Sequence, residues 1–297
     1  MLLGLALVII TGLLWGGVGI LHSRVARGGL SFPGYGVATS VVSAAAAAVL
    51  YVRWTPLLGG AATRTGTLVA VLGGSTLLGV LGFLLIQRAM RRGHQAGTWT
   101  VAQSAMVFPF LASVILWHDE LSTARVVGFL AILAGVAAIG RGRAVIAGDH
   151  AARPGGRWFG LALMAFGLLG GQQVLTHVPN QWADWTDTAN LRAAITFAAG
   201  ALGYGVVTVW KRAWPGRREW LLALIGACIG LASQGCFFSG LDCLSAIDLG
   251  AIVYPTAIGV CILTFALYSL LVLGEPTSPY HWLGLACCIG GILVIAL

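Results

Sequence analysis

The sequence WHDELSTARVVGFLAILAGV at residues 117–136 returns as VLGEPTSPYHWLGLACCIGG at residues 272–291. In both stretches a Glu ends an apolar run, Ser and Thr follow within three residues, and an apolar segment then carries two Gly seven residues apart. The corresponding residues are Glu120, Gly128 and Gly135 in the first stretch and Glu275, Gly284 and Gly291 in the second. They are separated by 155 residues at the Glu and 156 at the Gly, which indicates an internal duplication.

A second pair of stretches, near the start of each half, supports the duplication. GLALVIITGLLWGGVGILHS at residues 4–23 resembles GLALMAFGLLGGQQVLTHV at residues 160–178, and His22 corresponds in position to His177. The two halves of the chain therefore share one pattern. We assign residues 1–140 to the first five-helix repeat, 141–157 to a basic connector and 158–297 to the second repeat.

The composition places these repeats in a membrane. The chain is 58% hydrophobic and 9% charged, with a mean hydropathy of +0.91, whereas soluble domains are about half apolar and a quarter charged. Apolar runs of a length that can cross about 30 Å of hydrocarbon as a helix recur along the chain. We expect an all-α polytopic membrane protein without a separate soluble domain.

The pattern predicts ten transmembrane helices, five in each half. We expect them at residues 2–22, 33–52, 67–87, 95–117, 123–140, 158–177, 188–210, 219–240, 247–272 and 280–297. Ser122 and Thr123 should form a helix N-cap before the fifth span, and Ser278 with Pro279 at the first helical position should begin the tenth. Because five is odd, the second repeat must enter the membrane inverted relative to the first.

Charge predicts how the helices are oriented. Lys and Arg cluster after odd-numbered spans, Asp follows spans 6 and 8, and of the residues between spans only Arg53 and Arg64 depart from this pattern. Since cytoplasmic loops are the basic ones, we expect both termini outside a bacterial-type inner membrane. The net charge of +8 is then mostly a topology signal and does not indicate nucleic-acid binding. The basic clusters are Arg24 and Arg27; Arg88, Arg91 and Arg92; Arg141, Arg143, Arg153 and Arg157; and Lys211, Arg212, Arg217 and Arg218.

Two further features have simple interpretations. The first span lacks a preceding basic segment and a signal-peptidase site, so we expect it to be retained and not cleaved. The six Cys lie in the second half without metal-ligand spacing to His, which favours packed thiols over disulfides or a metal site. We expect no cofactor and no metal.

Ten spans in a five-plus-five repeat, the steps Asp119-Glu120 and Gly274-Glu275 that end spans 4 and 9, and the two-glycine helices after them resemble the drug/metabolite transporter (DMT) superfamily and its EamA-type repeat. The resemblance covers essentially the whole chain. It implies an inverted-repeat secondary transporter with a substrate cavity between the halves, walled mainly by spans 1, 3, 4, 6, 8 and 9. External termini resemble the bacterial sugar-uptake branch, which favours a sugar or similar polar metabolite. Export of amino acids or of amphipathic, drug-like metabolites is the alternative.

Polar and aromatic side chains within the spans are the candidate substrate ligands, because polar groups within hydrocarbon are energetically costly. Trp99 and Gln103 are four apart and share a helix face, which suits a sugar ring or a flat organic molecule. Gln172 and Gln173 are adjacent, so at most one should face a central cavity. Packing and interhelical hydrogen bonding are the alternative for each residue. The six candidates are Trp15, Trp99, Gln103, Gln172, Gln234 and Tyr254.

Pro255 directly follows Tyr254 in the ninth predicted span. Proline removes one helix hydrogen bond, and a broken helix beside a cavity is common in transporters. We expect a break in the helix at this position, with a simple kink as the alternative.

Acidic residues restrict the mechanism. None of the nine Asp and Glu falls in the middle of a predicted span, whereas a drug-cation/proton antiporter needs a buried carboxylate. Asp248, His22 and His177 are the candidate proton-coupling residues. Their alternatives are stabilisation of a helix N-terminus for Asp248 and structural or interfacial roles for the two His. Glu120 and Glu275 are expected to be turn residues before N-caps.

The class of protein follows from what the sequence contains. No H-E-x-x-H motif, His cluster or Ser/His/Asp arrangement stands out, so we do not expect an enzyme. A channel or a lipid-handling protein is the alternative to a carrier, because its helices would have the same pattern. The expected partners are a small-molecule substrate, the lipid bilayer and a coupling proton or cation, with the protein as a monomer or homodimer.

Overall fold

The computed structural model describes residues 1–50, 62–116, 122–147, 155–182, 189–245, 247 and 253–295. Within these ranges all regular secondary structure is helical, as the sequence predicts. The first repeated stretch is described only in part, because Asp119 and Glu120 lie outside the described residues. Asp248 also lies outside them.

The described helices follow the predicted spans in order, with span 4 divided into two pieces. They are α1 (Leu2–Arg27), α2 (Phe32–Leu50), α3 (Ala62–Met90), α4 (Gln95–Gln103), α5 (Val107–Leu116), α6 (Thr123–Ala147), α7 (Gly155–His177), α8 (Ala189–Lys211), α9 (Arg217–Ser245), α10 (Val253–Leu271) and α11 (Pro279–Ile295). Short 3-10 turns at Ser104–Met106 and Val178–Gln181 follow α4 and α7.

Six of these helices are long and apolar enough to cross a membrane, namely α1, α2, α3, α7, α8 and α9. Shorter apolar segments lie in α6, α10 and α11. Large apolar side chains point away from the bundle, such as Leu202, Val206 and Val209 on α8, which are 59–73% exposed. A surface of this kind suits hydrocarbon and not water, so the chain is a multi-pass membrane protein.

The helices extend beyond the predicted spans where basic residues follow. α1 continues to Arg27 and α6 to Ala147, while α7 already begins at Gly155. Much of the segment at 141–157 between the predicted fifth and sixth spans is therefore helical. The apolar run marks the hydrocarbon layer, but Ala and Arg are strong helix formers, so the helix persists into the interfacial region.

The helices that carry the Gly pairs of the two repeated stretches are α6 and α11, and they pack directly on one another. A Cβ added to Gly135 would lie 2.7 Å from the carbonyl oxygen of Gly284, and a Cβ added to Gly291 would lie 2.5 Å from that of Gly128. Small residues at an interface let helix backbones approach closely. The pair of Gly seven residues apart is thus a helix-packing pattern, and it explains why both halves carry it.

The remaining long helices pair across the two halves of the chain. α1 packs along α9, α3 along α7, and α2 against α8. In the predicted repeat α1 corresponds to α7 and α3 to α9, so the first two pairs are the same contact made twice.

Span 4 is interrupted where α4 ends at Gln103 and the 3-10 turn Ser104–Met106 begins. Pro109 accounts for this interruption. Proline has no N–H to donate to the carbonyl of Ala105, four residues earlier, and its ring crowds that carbonyl. The helix tightens locally before continuing as α5. Pro255 is the third residue of α10, and residues 248–252 before it lie outside the described residues, so the break expected there stays a prediction.

The turns that carry the basic clusters meet at one end of the bundle, which we call the basic end. Arg91 donates to the carbonyl oxygen of Leu30 at 2.5 Å, which joins the turn after α3 to the turn after α1. Ser31 Oγ donates to the carbonyl oxygen of Ala213 at 2.9 Å, which adds the turn after α8. The C-terminal part of α6 lies at the start of α11, where Ser278 Oγ donates to the carbonyl oxygen of Gly142.

Candidate substrate cavity

A cavity of about 440 Å³ lies between the two halves of the chain. This volume is within the range of about 300–1,000 Å³ of small-molecule sites. The described residues that border it come from α1, α2, α3, α4, α7, α8, α9 and α10. The resemblance implied walls from spans 1, 3, 4, 6, 8 and 9, and the structure adds spans 2 and 7, which are α2 and α8.

All six predicted substrate ligands border this one cavity, as do two of the three proton-coupling candidates. They are Trp15, Trp99, Gln103, Gln172, Gln234, Tyr254, His22 and His177. The sequence pattern therefore selected residues that converge from α1, α4, α7, α9 and α10. Asp248 lies outside the described residues.

One wall of the cavity is a chain of aromatic rings. The ring centroids lie 5.4 Å apart for Trp15 and Phe237, 4.8 Å for Phe237 and Tyr254, and 5.0 Å for Tyr254 and His177. Aromatic pairs at these distances stabilise one another and hold their rings in place. This aromatic wall offers apolar ring surface, with the phenol and imidazole as polar atoms near one end.

His22 lies within α1, five residues before the helix ends at Arg27. Four aromatic rings meet it edge to face, with centroids 5.1–5.9 Å away. Its carbonyl oxygen accepts a hydrogen bond from Gln87 Nε2 at 2.8 Å, while its Nδ1 has no hydrogen-bond partner among the described residues. The rings belong to Phe32, Tyr35, Phe83 and Trp99.

Trp99 and Gln103 share a helix face, as predicted, but their surroundings differ. Trp99 is 1% exposed, and its indole packs on Gly19, where an added Cβ would lie 2.8 Å from the ring. Its ring centroid is 5.5 Å from that of Phe265. Gln103 is partly exposed at the end of α4, directly before the 3-10 turn. Trp99 is therefore mainly a packing residue in this conformation, and Gln103 is the more accessible of the two.

Gln172 and Gln173 both border the cavity, and the Gln172 side chain also packs on α3, where a Cβ added to Gly79 would lie 3.4 Å from its Cγ. The expectation that at most one of the two amides faces the cavity stays a prediction. The Gln172 carbonyl oxygen accepts a hydrogen bond from Ser75 Oγ at 2.8 Å, which fixes this turn of α7 against α3.

Several lining residues were not singled out from the sequence. Thr39, Ser40 and Ser43 on α2 border the cavity, and their small size gave no signal among the apolar residues of that span. Arg192, 8% exposed, also borders it from the first turn of α8. The signal that could have identified Arg192 is its place as a basic residue on the acid-rich side of the predicted topology.

Glu275, from the second repeated phrase, connects the halves at the basic end. Its carboxylate accepts the backbone N–H of Gln95 at 2.8 Å and that of Ala96 at 3.2 Å. The positive N-terminal end of α4 stabilises this negative charge. Gly274, at φ +60°, adopts the left-handed turn that directs the chain back. Glu275 is thus more than the turn residue that the sequence predicted, because it joins one half to the other.

Glu219 makes a similar contact between α9 and α2. Its Oε1 accepts the Ser31 backbone N–H at 3.0 Å, while Ser31 Oγ accepts the Gly34 N–H at 3.0 Å and caps α2. The two halves are therefore joined at the basic end by carboxylates of the second half on helix N-termini of the first.

The described residues contain no group of three or more His, Cys, Asp or Glu arranged to hold a metal ion. The six Cys are free thiols, with Cys261 and Cys288 buried and Cys228 exposed.

Comparison with known proteins bears on the fold. No family model and no curated protein matches this sequence. Among solved structures, 15 chains match. One of them, described as "Crystal structure of protein", is 17% identical, with a TM-score of 0.60 over 98% of this chain and 94% of that chain. This likeness shows a shared fold. It extends over both halves and carries no activity with it.

Proposed function

We propose that the chain is a secondary transporter that moves a small polar organic metabolite by alternating access. The observation that carries this proposal is a cavity between two halves that are joined at one end by specific contacts. In a carrier the substrate site lies between two repeats, and gates on either side of it open in turn. We assign the chain to the drug/metabolite transporter superfamily, EamA type, on the sequence resemblance.

Two reciprocal contacts support the inverted five-plus-five arrangement. Gly128 packs on Gly291 and Gly135 on Gly284, and exchange of the two halves converts one contact into the other. Such a relationship is what a two-fold axis produces. The repeated pairs α1–α9 and α3–α7 fit the same axis. Ten membrane crossings and an axis in the membrane plane are therefore part of this proposal.

The lining of the cavity supports a polar solute with an apolar face. Amides of Gln103, Gln172 and Gln234 provide donors and acceptors, and the aromatic wall provides ring surface. This combination suits a sugar or a sugar-like metabolite, as the sequence resemblance also favours. Amino acids and amphipathic metabolites are the alternative substrates.

The proposed location is a bacterial-type inner membrane with both termini outside. The meeting of the basic turns at one end of the bundle supports this orientation, since the basic end then faces the cytoplasm. With its halves joined at that end, the described conformation is the one closed to the cytoplasm.

Counterflow in proteoliposomes tests the proposal. Vesicles are loaded with unlabelled solute, and uptake of the same labelled solute at trace concentration is followed, with glucose, gluconate, glutamine and choline as probes. A carrier accumulates label transiently above equilibrium, because exchange is faster than net flux. If the label of every transported probe only reaches equilibrium, the protein is a channel. If no probe shows protein-dependent flux, transport of these solute classes is contradicted.

A further inference from the structure

Arg192 is a basic residue buried where the cavity meets the end opposite the basic end. It belongs to the first turn of α8, borders the cavity and is 8% exposed. Of the described residues that line the cavity, Arg192 is the only Lys or Arg, and none is Asp or Glu. The described lining therefore carries one positive charge, at Arg192, and no carboxylate to balance it.

The position of Arg192 favours an anion in the cavity. Charged residues within membrane-spanning helices are rare, and they face the protein interior or a cavity and pair with other charges or with backbone carbonyls. A bound anion would be attracted by the guanidinium.

The neighbours of Arg192 are groups that can complete an anion site. Arg192, His177 and Tyr254 all border the cavity, and the ring centroids of His177 and Tyr254 are 5.0 Å apart. A phenol donates one hydrogen bond, and a guanidinium donates up to five in a planar fork. Arg192 also takes part in contacts within the protein, and five donors allow it to keep such a contact and hold a ligand.

We propose that the cavity takes a small organic carboxylate, and that Arg192 binds its carboxylate group with Tyr254 beside it. Arg and a carboxylate pair through two parallel hydrogen bonds. The rest of the molecule then lies along the aromatic wall toward Trp15 and the Gln amides. This proposal rests on the proposed transport function and adds the charge of the substrate to it.

Thermal shift with matched pairs of solutes tests the inference. Purified protein is heated with gluconate or glucose, nicotinate or nicotinamide, and succinate or succinamide, since a ligand of the folded state raises Tm by mass action. We expect the acid of at least one pair to raise Tm at lower concentration than its neutral partner. Arg192→Gln should raise the apparent Kd of that acid about tenfold or more, and Arg192→Lys should have a smaller effect because it retains the charge but not the fork.

Lys211→Gln is the matched control, because Lys211 lies exposed at the other end of the same helix. It should leave the acid's apparent Kd unchanged. An acid that binds Arg192→Gln as tightly as it binds the unaltered protein overturns the proposal. The proposal is also overturned if no acid in the panel raises Tm more than its neutral partner. This comparison uses the unaltered protein, so it holds even where Arg192→Gln fails to fold. Counterflow of a neutral solute in that case would leave the transport function standing and remove only its anionic substrate.

Discussion

The backbones of Gly135 and Gly284 face each other so closely that a Cβ added to either residue would lie 2.7 Å from the carbonyl oxygen of the other. Gly135 is the second Gly of its repeated phrase, and Gly284 is the first Gly of the other. The reverse combination, Gly128 and Gly291, makes the equivalent contact on the same pair of helices. Two contacts that exchange when the halves are exchanged are what the proposed two-fold relation between the halves would produce.

Gly284→Ala should destabilise the protein by about 1–3 kcal/mol, the usual range for overpacking. The new methyl group would lie 2.5 Å from Ile139 Cγ1 and 2.7 Å from the Gly135 carbonyl oxygen, and the second of these is backbone that cannot rotate away. Thermal unfolding in detergent would measure the loss. Gly290→Ala on the same helix is the control, because an added Cβ there meets nothing within 4 Å. Equal Tm values for the two variants would show that close backbone approach does not hold α6 and α11 together.

Trp99→Ala and Gln103→Ala should affect different properties although both residues border the cavity. Trp99 is 1% exposed and packs on Gly19 and Phe265, so its removal should cost about 3–5 kcal/mol of stability, as for buried Trp. Gln103 is partly exposed at the helix interruption. Its truncation should leave Tm nearly unchanged and weaken binding severalfold, the effect of one hydrogen bond worth about 0.5–1.5 kcal/mol.

Both quantities come from one experiment, a Tm titration with the solute that stabilises the unaltered protein most. The unfolding midpoint without solute reports packing, and the concentration dependence reports affinity. A large Tm loss in Gln103→Ala, with unchanged affinity, would assign Gln103 to helix packing.

The helix pattern was readable from the sequence because hydrocarbon imposes a simple rule on composition. Runs of about 20 apolar residues predicted the positions of the helices, and Pro279 and Ser278 marked the start of α11 correctly. The Gly pair marked the duplication but did not reveal that its members contact one another across the two halves. Polar residues within spans predicted six cavity-lining residues, because a buried amide or indole in such a protein borders either a cavity or another helix.

Other features depended on contacts that no local pattern contains. The bond from Glu275 to the Gln95 N–H joins residues 180 positions apart, so the sequence could identify the turn but not its partner. The interruption of span 4 before Pro109 was not predicted, because the apolar run continues through it. Arg192 was not singled out, because the sequence near a span end does not show which side chains turn inward.

Cys labelling should place the basic end in the cytoplasm. We expect Arg92→Cys and Lys211→Cys to react with a membrane-impermeant maleimide only after permeabilisation, because both sites lie at the end of the bundle where the basic turns meet. Ser122→Cys, exposed directly before α6 and at the end of that helix opposite Gly142, should react in intact cells. The reverse labelling pattern would place both termini inside and remove the similarity to the sugar-uptake branch.

Glu275→Gln should shift the protein toward a state open at the basic end. The carboxylate accepts two neighbouring N–H groups at the start of α4 and one bond from Ser269 Oγ at 2.5 Å. A neutral amide keeps the shape but loses the charge that the helix N-terminus attracts. If the loss is about 1.4 kcal/mol, the closed-to-open ratio falls about tenfold.

Accessibility of a cavity residue from the basic end measures this shift. Gln103→Cys is introduced into a background whose six native Cys are replaced by Ala, and inside-out vesicles, which present the basic end to the medium in the proposed orientation, are treated with an impermeant thiol reagent. Labelling should be several times faster with Glu275→Gln than without it, because the reagent reaches the cavity only when the basic end opens. Arg217→Gln, an exposed charge at the same end, should leave the rate unchanged. Equal rates for Glu275→Gln and its parent, in samples that are equally folded, would mean that the Glu275 contact with α4 stabilises the fold but does not control access to the cavity.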